Sequence, residues 1–297
     1  MTALRTRFPE PIAQSIVAQY TNNILVGSTR SILAGGERNW TLLPFQKTGD
    51  GVRNFEKADA ISKIARTLGA SNILAPTPTK FNGKVCASAE LTVRIRLPCG
   101  VTLLRNPKVF AEGCELRVGD AICWSLGGCM VIVFVYRSRV FAVHAGMLSL
   151  MDKKLIMTGN LDPDRSHFSV VHAVLAQLGC DVVCEEVHAR ILFPIGKEAL
   201  VNHLQHAEHG AFNRAMLRYA KMHWVPYDGG CVDLRGNNMH VDIARIARAQ
   251  LIQAGVPTKN IWIDDVPVDE RAGAHHTRHE DPARRLMRNL AMVKRIN

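Results

Sequence analysis

The sequence predicts an α+β fold in a single domain, on three observations. Strand-like patterns follow one another from Leu91 through the hairpin that ends at Val143, a run of β-structure and not βαβ alternation. No internal repeat and no Gly/Ser linker divides the 297 residues. An apolar content of 47% is enough for one large core.

The first element is a helix over about Asn54–Leu68, with Ile61, Ile64, Ala65 and Leu68 on one face and Gly69 as its stop. The Pro-rich stretch Ala75–Lys84 reads as a surface loop. Leu91, Val93, Ile95 and Leu97 alternate with Thr92, Arg94 and Arg96, the period of a half-buried strand. Val101–Leu104 and Ala121–Ser125 are further strands. Met130–Tyr136 and Val140–Val143 are β-branched runs joined by Arg137-Ser138-Arg139, a hairpin. A loop, Asp152–Arg165, follows and closes with Asp162-Pro163-Asp164. Ser166–Leu178 reads as a helix stopped by Gly179, and Val182–Phe193 as a strand. Lys197–Lys221 has a helical pattern broken near Gly210. The clearest helix, about Val241–Ala254, carries Ile243, Ile246, Ala247 and Leu251 in one stripe and ends at Gly255 and Pro257. Asn260–Ile263 closes the series as a short strand.

Composition bounds the function. Arg5 and Arg7 lead into a polar stretch, Glu10–Gln19, unlike a signal peptide, and no apolar run approaches transmembrane length. A cytoplasmic protein with no membrane partner is expected. The eight cysteines lack framework spacing and read as free thiols. The formal charge of +11 is spread along the chain, with a concentration at Arg271, Arg278, Arg284, Arg285, Arg288, Lys294 and Arg295 that acidic residues interrupt. Four Trp and four Tyr offer little base stacking and no nucleic-acid motif is present; small anionic ligands explain the balance as well as nucleic acid does, and nucleic acid is not the expected partner. Nothing in the sequence assigns an oligomeric state.

The densest chemistry is Leu126-Gly127-Gly128-Cys129, followed fifteen residues later by His144-Ala145-Gly146. A hairpin of this length returns the imidazole to the thiol, so Cys129 and His144 are expected within about 4 Å of each other. Such a pair binds zinc or works as nucleophile and base; a buried thiol beside a strand-end histidine is the third possibility.

Several segments resemble the bacterial laccase-domain (YfiH-type) family, whose members are described as polyphenol oxidoreductases and as purine nucleoside phosphorylases. Ser28-Thr29-Arg30 with Gly35-Gly36 resembles the family's S-T-R-x-G-G, and Gly119-Asp120-Ala121 its A-D-A. Leu126–Cys129 falls on T-A-D-C, His144-Ala145-Gly146 on the start of H-A-G-W-R-G, and Val241–Gly255 on a late helix motif. Arg278 and Arg285 fall near the arginines of the closing motif. The resemblance implies mixed sheets flanked by helices. It also implies zinc, with copper as the alternative, and a purine nucleoside and phosphate as substrates, cleaved by phosphorolysis or deaminated. Cys129 and His144 match two of the family's ligands. Cys99, in Leu97-Pro98-Cys99-Gly100, stands where the family's first histidine would be. Arg30, Arg278 and Arg285 are the implied phosphate or ribose contacts. Three positions depart from the family: Gly128 replaces an Asp, Met147-Leu148-Ser149 replaces Trp-Arg-Gly, and Val266-Pro267 replaces Cys-Thr.

The same hairpin also resembles the L-S-G-C and His pair of the cytotoxic-necrotising-factor deamidases, in which the Cys attacks a glutamine amide without a metal. A binding module that keeps the fold without catalysis is the third function class. His203, His206 and His209 are expected on a solvated helix face, and Cys180 and Cys184 as packing or exposed thiols. His275, His276 and His279 share the Arg278 loop and are candidates for a substrate-side role.

Overall fold

The computed structural model describes residues 24–28, 61–62, 65–66, 68–76, 84–97, 100–106, 108–126, 128–179, 181–264 and 289–296. In chain order the strands begin with β1 (Ile24–Ser28), β2 (Asn72–Leu74), β3 (Val85–Cys86), β4 (Val93–Arg96) and β5 (Thr102–Arg105). They continue with β6 (Gly113–Leu116), β7 (Asp120–Leu126), β8 (Met130–Tyr136), β9 (Arg139–Ala145) and β10 (Val187–Leu192). The last are β11 (Val201–His203), β12 (Val232–Arg235), β13 (Asn238–Val241), β14 (Ile261–Ile263) and β15 (Asn289–Arg295). The α-helices are α1 (Met147–Leu150), α2 (Lys153–Thr158), α3 (Val170–Leu178), α4 (Gly210–His223) and α5 (Ile243–Gln253).

Among the described residues two six-stranded sheets and a three-stranded one result. The orders are β1-β15-β7-β2-β5-β4, β14-β10-β8-β9-β6-β3 and β11-β13-β12. Both large sheets are mixed: β2 runs parallel to β5 and β7, and β10 parallel to β14, among antiparallel neighbours. The α+β expectation holds.

Strand β8 shows why the layers stack as they do. All seven of its residues are buried, so both of its faces are covered and the sequence is continuously apolar. Val131, Val133 and Val135 point into a core shared with Leu74, Ile122, Trp124 and Leu126 of the first sheet. Met130, Ile132 and Phe134 point the other way, onto Val170 and Val174 of α3 and Ile246 and Leu251 of α5. On the far side of the first sheet, Ile61, Ala65 and Leu68 pack on Ile73, Leu103 and Ala121. Helical residues, sheet, sheet and helices therefore form four layers, with the two sheets face to face in the middle.

Local signals place most elements. Asp242 caps α5 by accepting from the Arg245 amide, and Ser169 caps α3 by accepting from His172, so α3 begins at Val170, later than the pattern suggested. Other expectations need correction. The Asp152–Arg165 loop contains α2, because Asp152 accepts from the Leu155 amide and Gly159, at φ 80°, ends the turn. The helical pattern over Lys197–Lys221 splits into a 3-10 turn, strand β11 and α4, which starts only at Gly210. The Val182–Phe193 strand begins at Val187, after a 3-10 turn at Cys184–Glu186. Strand β4 lies at a sheet edge: Leu91 and Leu97 of the alternating stretch are buried and Ile95 partly so, but Val93 is 43% exposed. Of the Asn54–Leu68 helix, Ile61, Ser62, Ala65 and Arg66 are helical and the remainder lies largely outside the described residues. Most of the Ala75–Lys84 loop also lies outside them. Among the described residues no helix is long and apolar enough to cross a membrane.

Candidate active site at the hairpin ends

The β8–β9 hairpin sets the site. Val131 pairs with His144 and Met130 with Ala145, so Cys129 and Gly146 are the next residues outward. The two-residue connection, Arg137-Ser138, holds Arg137 at φ 52°. Side chains alternate along a strand, so His144 shares the face of Val140 and Ala142, which line the inter-sheet core. Cys129 packs against that same core. Thiol and imidazole thus converge on one face of the hairpin, as the spacing required.

Gly146 makes their convergence possible. A Cβ at this residue would lie 2.9 Å from Cys129 Sγ and 3.7 Å from His144 Cε1. Any side chain there would press on the thiol and the ring together.

His144 is 5% exposed and its Nδ1 lies 2.8 Å from Glu112 Oε2. The thiol of Cys129 hydrogen-bonds with the same ring, for which Nε2 remains. Burial works against the imidazolium, but the charges and hydrogen bonds of Cys129 and Glu112 outweigh it and push the pKa up to about 10. Glu112 is itself 2% exposed, and its backbone carbonyl accepts from the His144 amide at 2.8 Å and from Trp124 Nε1 at 3.2 Å. The result is a Cys–His–Glu chain, buried at His144 and Glu112 and half-buried at Cys129, whose acidic member is fixed by its backbone.

Sequence reasoning missed Glu112. Its signal is a single acid within Val109-Phe110-Ala111-Glu112-Gly113-Cys114, since a carboxylate in an apolar run needs a partner. It also missed Arg165. The Arg165 guanidinium donates to the Leu148 carbonyl at 2.7 Å and the Phe168 carbonyl at 3.0 Å, and pairs with buried Asp152 at 3.2 Å. Burial lowers its pKa, against the pull of Asp152 and Glu112. A guanidinium therefore sits under Leu148, in the segment that lacks the Trp-Arg-Gly of the laccase-domain motif, and ties α1 to the loop before α3.

Cys99, Arg30, Arg278 and Arg285 lie outside the described residues, as do Cys180, His275, His276 and His279. The other histidine triplet is corrected in placement: His203 is on β11, His206 in the connection after it and His209 at the start of α4, not on one helix. His203 Nδ1 lies 2.6 Å from Asn238 Oδ1, and His206 Nδ1 accepts from the amides of Glu208 and His209. Cys184 is partly buried, with its Cβ against the space above Gly255.

Cys sulfur and His Nε2 are zinc donors, and a carboxylate on Nδ1 is the usual outer partner of a ligating imidazole. Among the described residues no group of three or more His, Cys, Asp or Glu is placed to hold a metal ion. Cys129 and His144 thus offer two donors of the right chemistry, and among the described residues no third donor joins them.

Comparison with solved structures adds the architecture. A Neisseria meningitidis protein of the DUF152 family superposes with a TM-score of 0.60 at 14% identity, covering 94% of this chain and 96% of its own. YlmD from Geobacillus stearothermophilus gives 0.60 at 13% identity, with 92% of both chains covered. The Bacillus licheniformis hypothetical protein YfiH gives 0.57 at 13% identity, covering 91% of this chain and 92% of its own. The fold is theirs. No family model and no curated protein matches the sequence. The laccase-domain resemblance is therefore met by the architecture, while the activity rests on the site.

Proposed function

We propose that Cys129 and His144 belong to a zinc centre acting on purine nucleosides, either by phosphate-dependent cleavage of the N-glycosidic bond or by deamination of the base. The observation that supports this reading is the Cys129–His144–Glu112 chain at the edge of the inter-sheet core. Glu112 on Nδ1 fixes the ring orientation and leaves Nε2 for a metal. Cys99 is the proposed third ligand, and Arg30, Arg278 and Arg285 are the proposed contacts to phosphate or ribose. Bound zinc would supply Lewis acidity or lower the pKa of a coordinated water. Guanidinium groups would hold the phosphate oxygens, which keep their charge in the transition state. Purification without chelator followed by elemental analysis tests the reading. One zinc per chain, lost in Cys129→Ala and His144→Ala together with phosphate-dependent turnover of inosine or adenosine, is the expected result. The same measurement identifies copper if copper occupies the site. Wild-type turnover by metal-free protein counts against the proposal.

A second reading is favoured by the same hydrogen-bond chain taken as nucleophile, base and orienting acid. Cys129 sulfur would attack a glutamine side-chain carbonyl, and His144 would pass a proton to the departing ammonia. Water would then hydrolyse the thioester, giving glutamate and restoring the thiol. Rapid labelling of Cys129 by a thiol reagent in metal-free, active protein is its expected signature.

A further inference from the structure

A cavity of about 320 Å³ opens at the other end of the inter-sheet layer, with Asn72, Ser88, Arg94, Thr102, Arg117 and Asp120 on its walls. Thr102, Asn72 and Asp120 are register partners across β5, β2 and β7, so their side chains stand in one row. Leu74 and Ile122, two residues further along, lie in the inter-sheet core, so the row faces the second sheet. Arg94 pairs with Leu104 on the edge strand of the same sheet. Arg117 and Ser88 arrive from the opposite sheet, just beyond β6 and β3. The cavity is remote from the hairpin site. Glu112 precedes β6 and Arg117 follows it, a span of about 16 Å at ~3.3 Å per residue.

The lining is polar and divided by charge. Among the described residues, neither the Arg94 nor the Arg117 guanidinium has a hydrogen bond or ion pair to a protein group. Two cationic forks from different sheets thus reach one space. Opposite them, Asp120 is 5% exposed and accepts from Asn72 Nδ2 at 2.9 Å. That bond uses one of its oxygens, and the carboxylate keeps capacity to accept from a ligand. Ser88 and Thr102 add hydroxyl groups.

We propose that this cavity is a second ligand site, for a small phosphate ester that carries a free hydroxyl group. Phosphate oxygens match two guanidinium forks, which donate in fixed planar geometry. The hydroxyl end meets Asp120, which only accepts, so a ligand with acceptors at both ends is excluded. The volume is at the lower end of the range of small-molecule sites and has no room for a polymer.

Calorimetric titration of the full chain with glycerol 3-phosphate, with inorganic phosphate and with glycerol tests the site. Glycerol 3-phosphate is expected to saturate one site in the wild type and equally in Cys129→Ala. Binding is expected to weaken at least tenfold in Arg94→Ala and in Arg117→Ala, both exposed positions whose variants keep the wild-type urea midpoint. Asp120→Asn is expected to weaken glycerol 3-phosphate more than inorganic phosphate. Absence of saturable binding overturns the proposal, as does binding that survives both arginine substitutions. Equal weakening by Lys108→Ala, an exposed cation outside the cavity, overturns it as general surface basicity. Loss in Cys129→Ala overturns it by moving the phosphate to the hairpin site.

Discussion

At the scale of single residues, His144 is held between Cys129 and Glu112 and kept from water, and each part of that arrangement can be removed separately. Glu112→Gln keeps the shape but loses the charge on Nδ1. Zinc affinity is expected to fall about 10–100-fold, the usual effect of deleting an outer partner of a ligand, as measured by competition with a chromophoric chelator. Cys129 and Glu112 raise the His144 pKa, so zinc binding at this ring is expected to displace a proton. Zinc uptake is therefore expected to tighten as pH rises from 6 to 9 and to release protons into unbuffered solution. A pH-independent affinity would remove His144 from the ligand set. Gly146→Ala places a methyl 2.9 Å from Cys129 Sγ. Tenfold or greater loss of Cys129 labelling is expected, with a stability loss of about 1–3 kcal/mol from overpacking. Unaltered labelling would show that the thiol has room to move.

At the scale of elements, the hairpin was legible because its spacing, apolar runs and flanking glycines all gave one answer. The Cys129–His144 encounter followed from strand geometry alone. Glu112 was not legible, since it reaches His144 across a β6–β9 pairing that no local pattern encodes. Lys197–Lys221 misled for a related reason. A helical period can be satisfied by β11 and α4 when tertiary contacts, such as the pairing of Val201 with His240, decide the backbone. Gly113 shows how closely β6 and β9 approach: a Cβ there would overlap the Ala142 carbonyl oxygen and lie 2.6 Å from Val143 Cα. Gly113→Ala is expected to cost about 3 kcal/mol or more in urea unfolding and to displace Glu112. The start of α5 carries a pH-dependent clamp. Burial opposes the Asp228 charge, but hydrogen bonds from Arg248 at 2.6 Å, the Gly230 amide and Arg245 prevail and lower its pKa. A depressed carboxylate stabilises the fold above its unfolded pKa of about 3.9, and that contribution is lost as pH falls through the lower folded value. Wild type is thus expected to lose more stability than Asp228→Asn below about pH 4. Parallel acid unfolding curves would show the clamp to be inert.

At the scale of the whole molecule, β8 serves two cores at once, and neighbouring substitutions separate them. Ile132→Ala opens the helix-side core and is expected to cost about 2–5 kcal/mol while leaving the chemistry of the folded fraction intact. Val131→Ala removes the residue paired with His144 on the inter-sheet side, so stability and Cys129 reactivity should both change. Reactivity that changes equally in both variants would mean the cores are not independent. The same strand has a consequence before folding is complete. Met130-Val131-Ile132-Val133-Phe134-Val135-Tyr136 contains no charge and no proline, so in a nascent or partly unfolded chain it is a segment prone to self-association. Arg137 and Arg139 close its C-terminal end, where charges oppose the stacking of one chain on another. This gives a reason for arginine to occupy the turn at φ 52°, a conformation glycine would adopt at lower cost. Arg137→Gly is accordingly expected to relax the folded hairpin yet to shift freshly synthesised protein from the soluble fraction into aggregates, most clearly at high expression temperature.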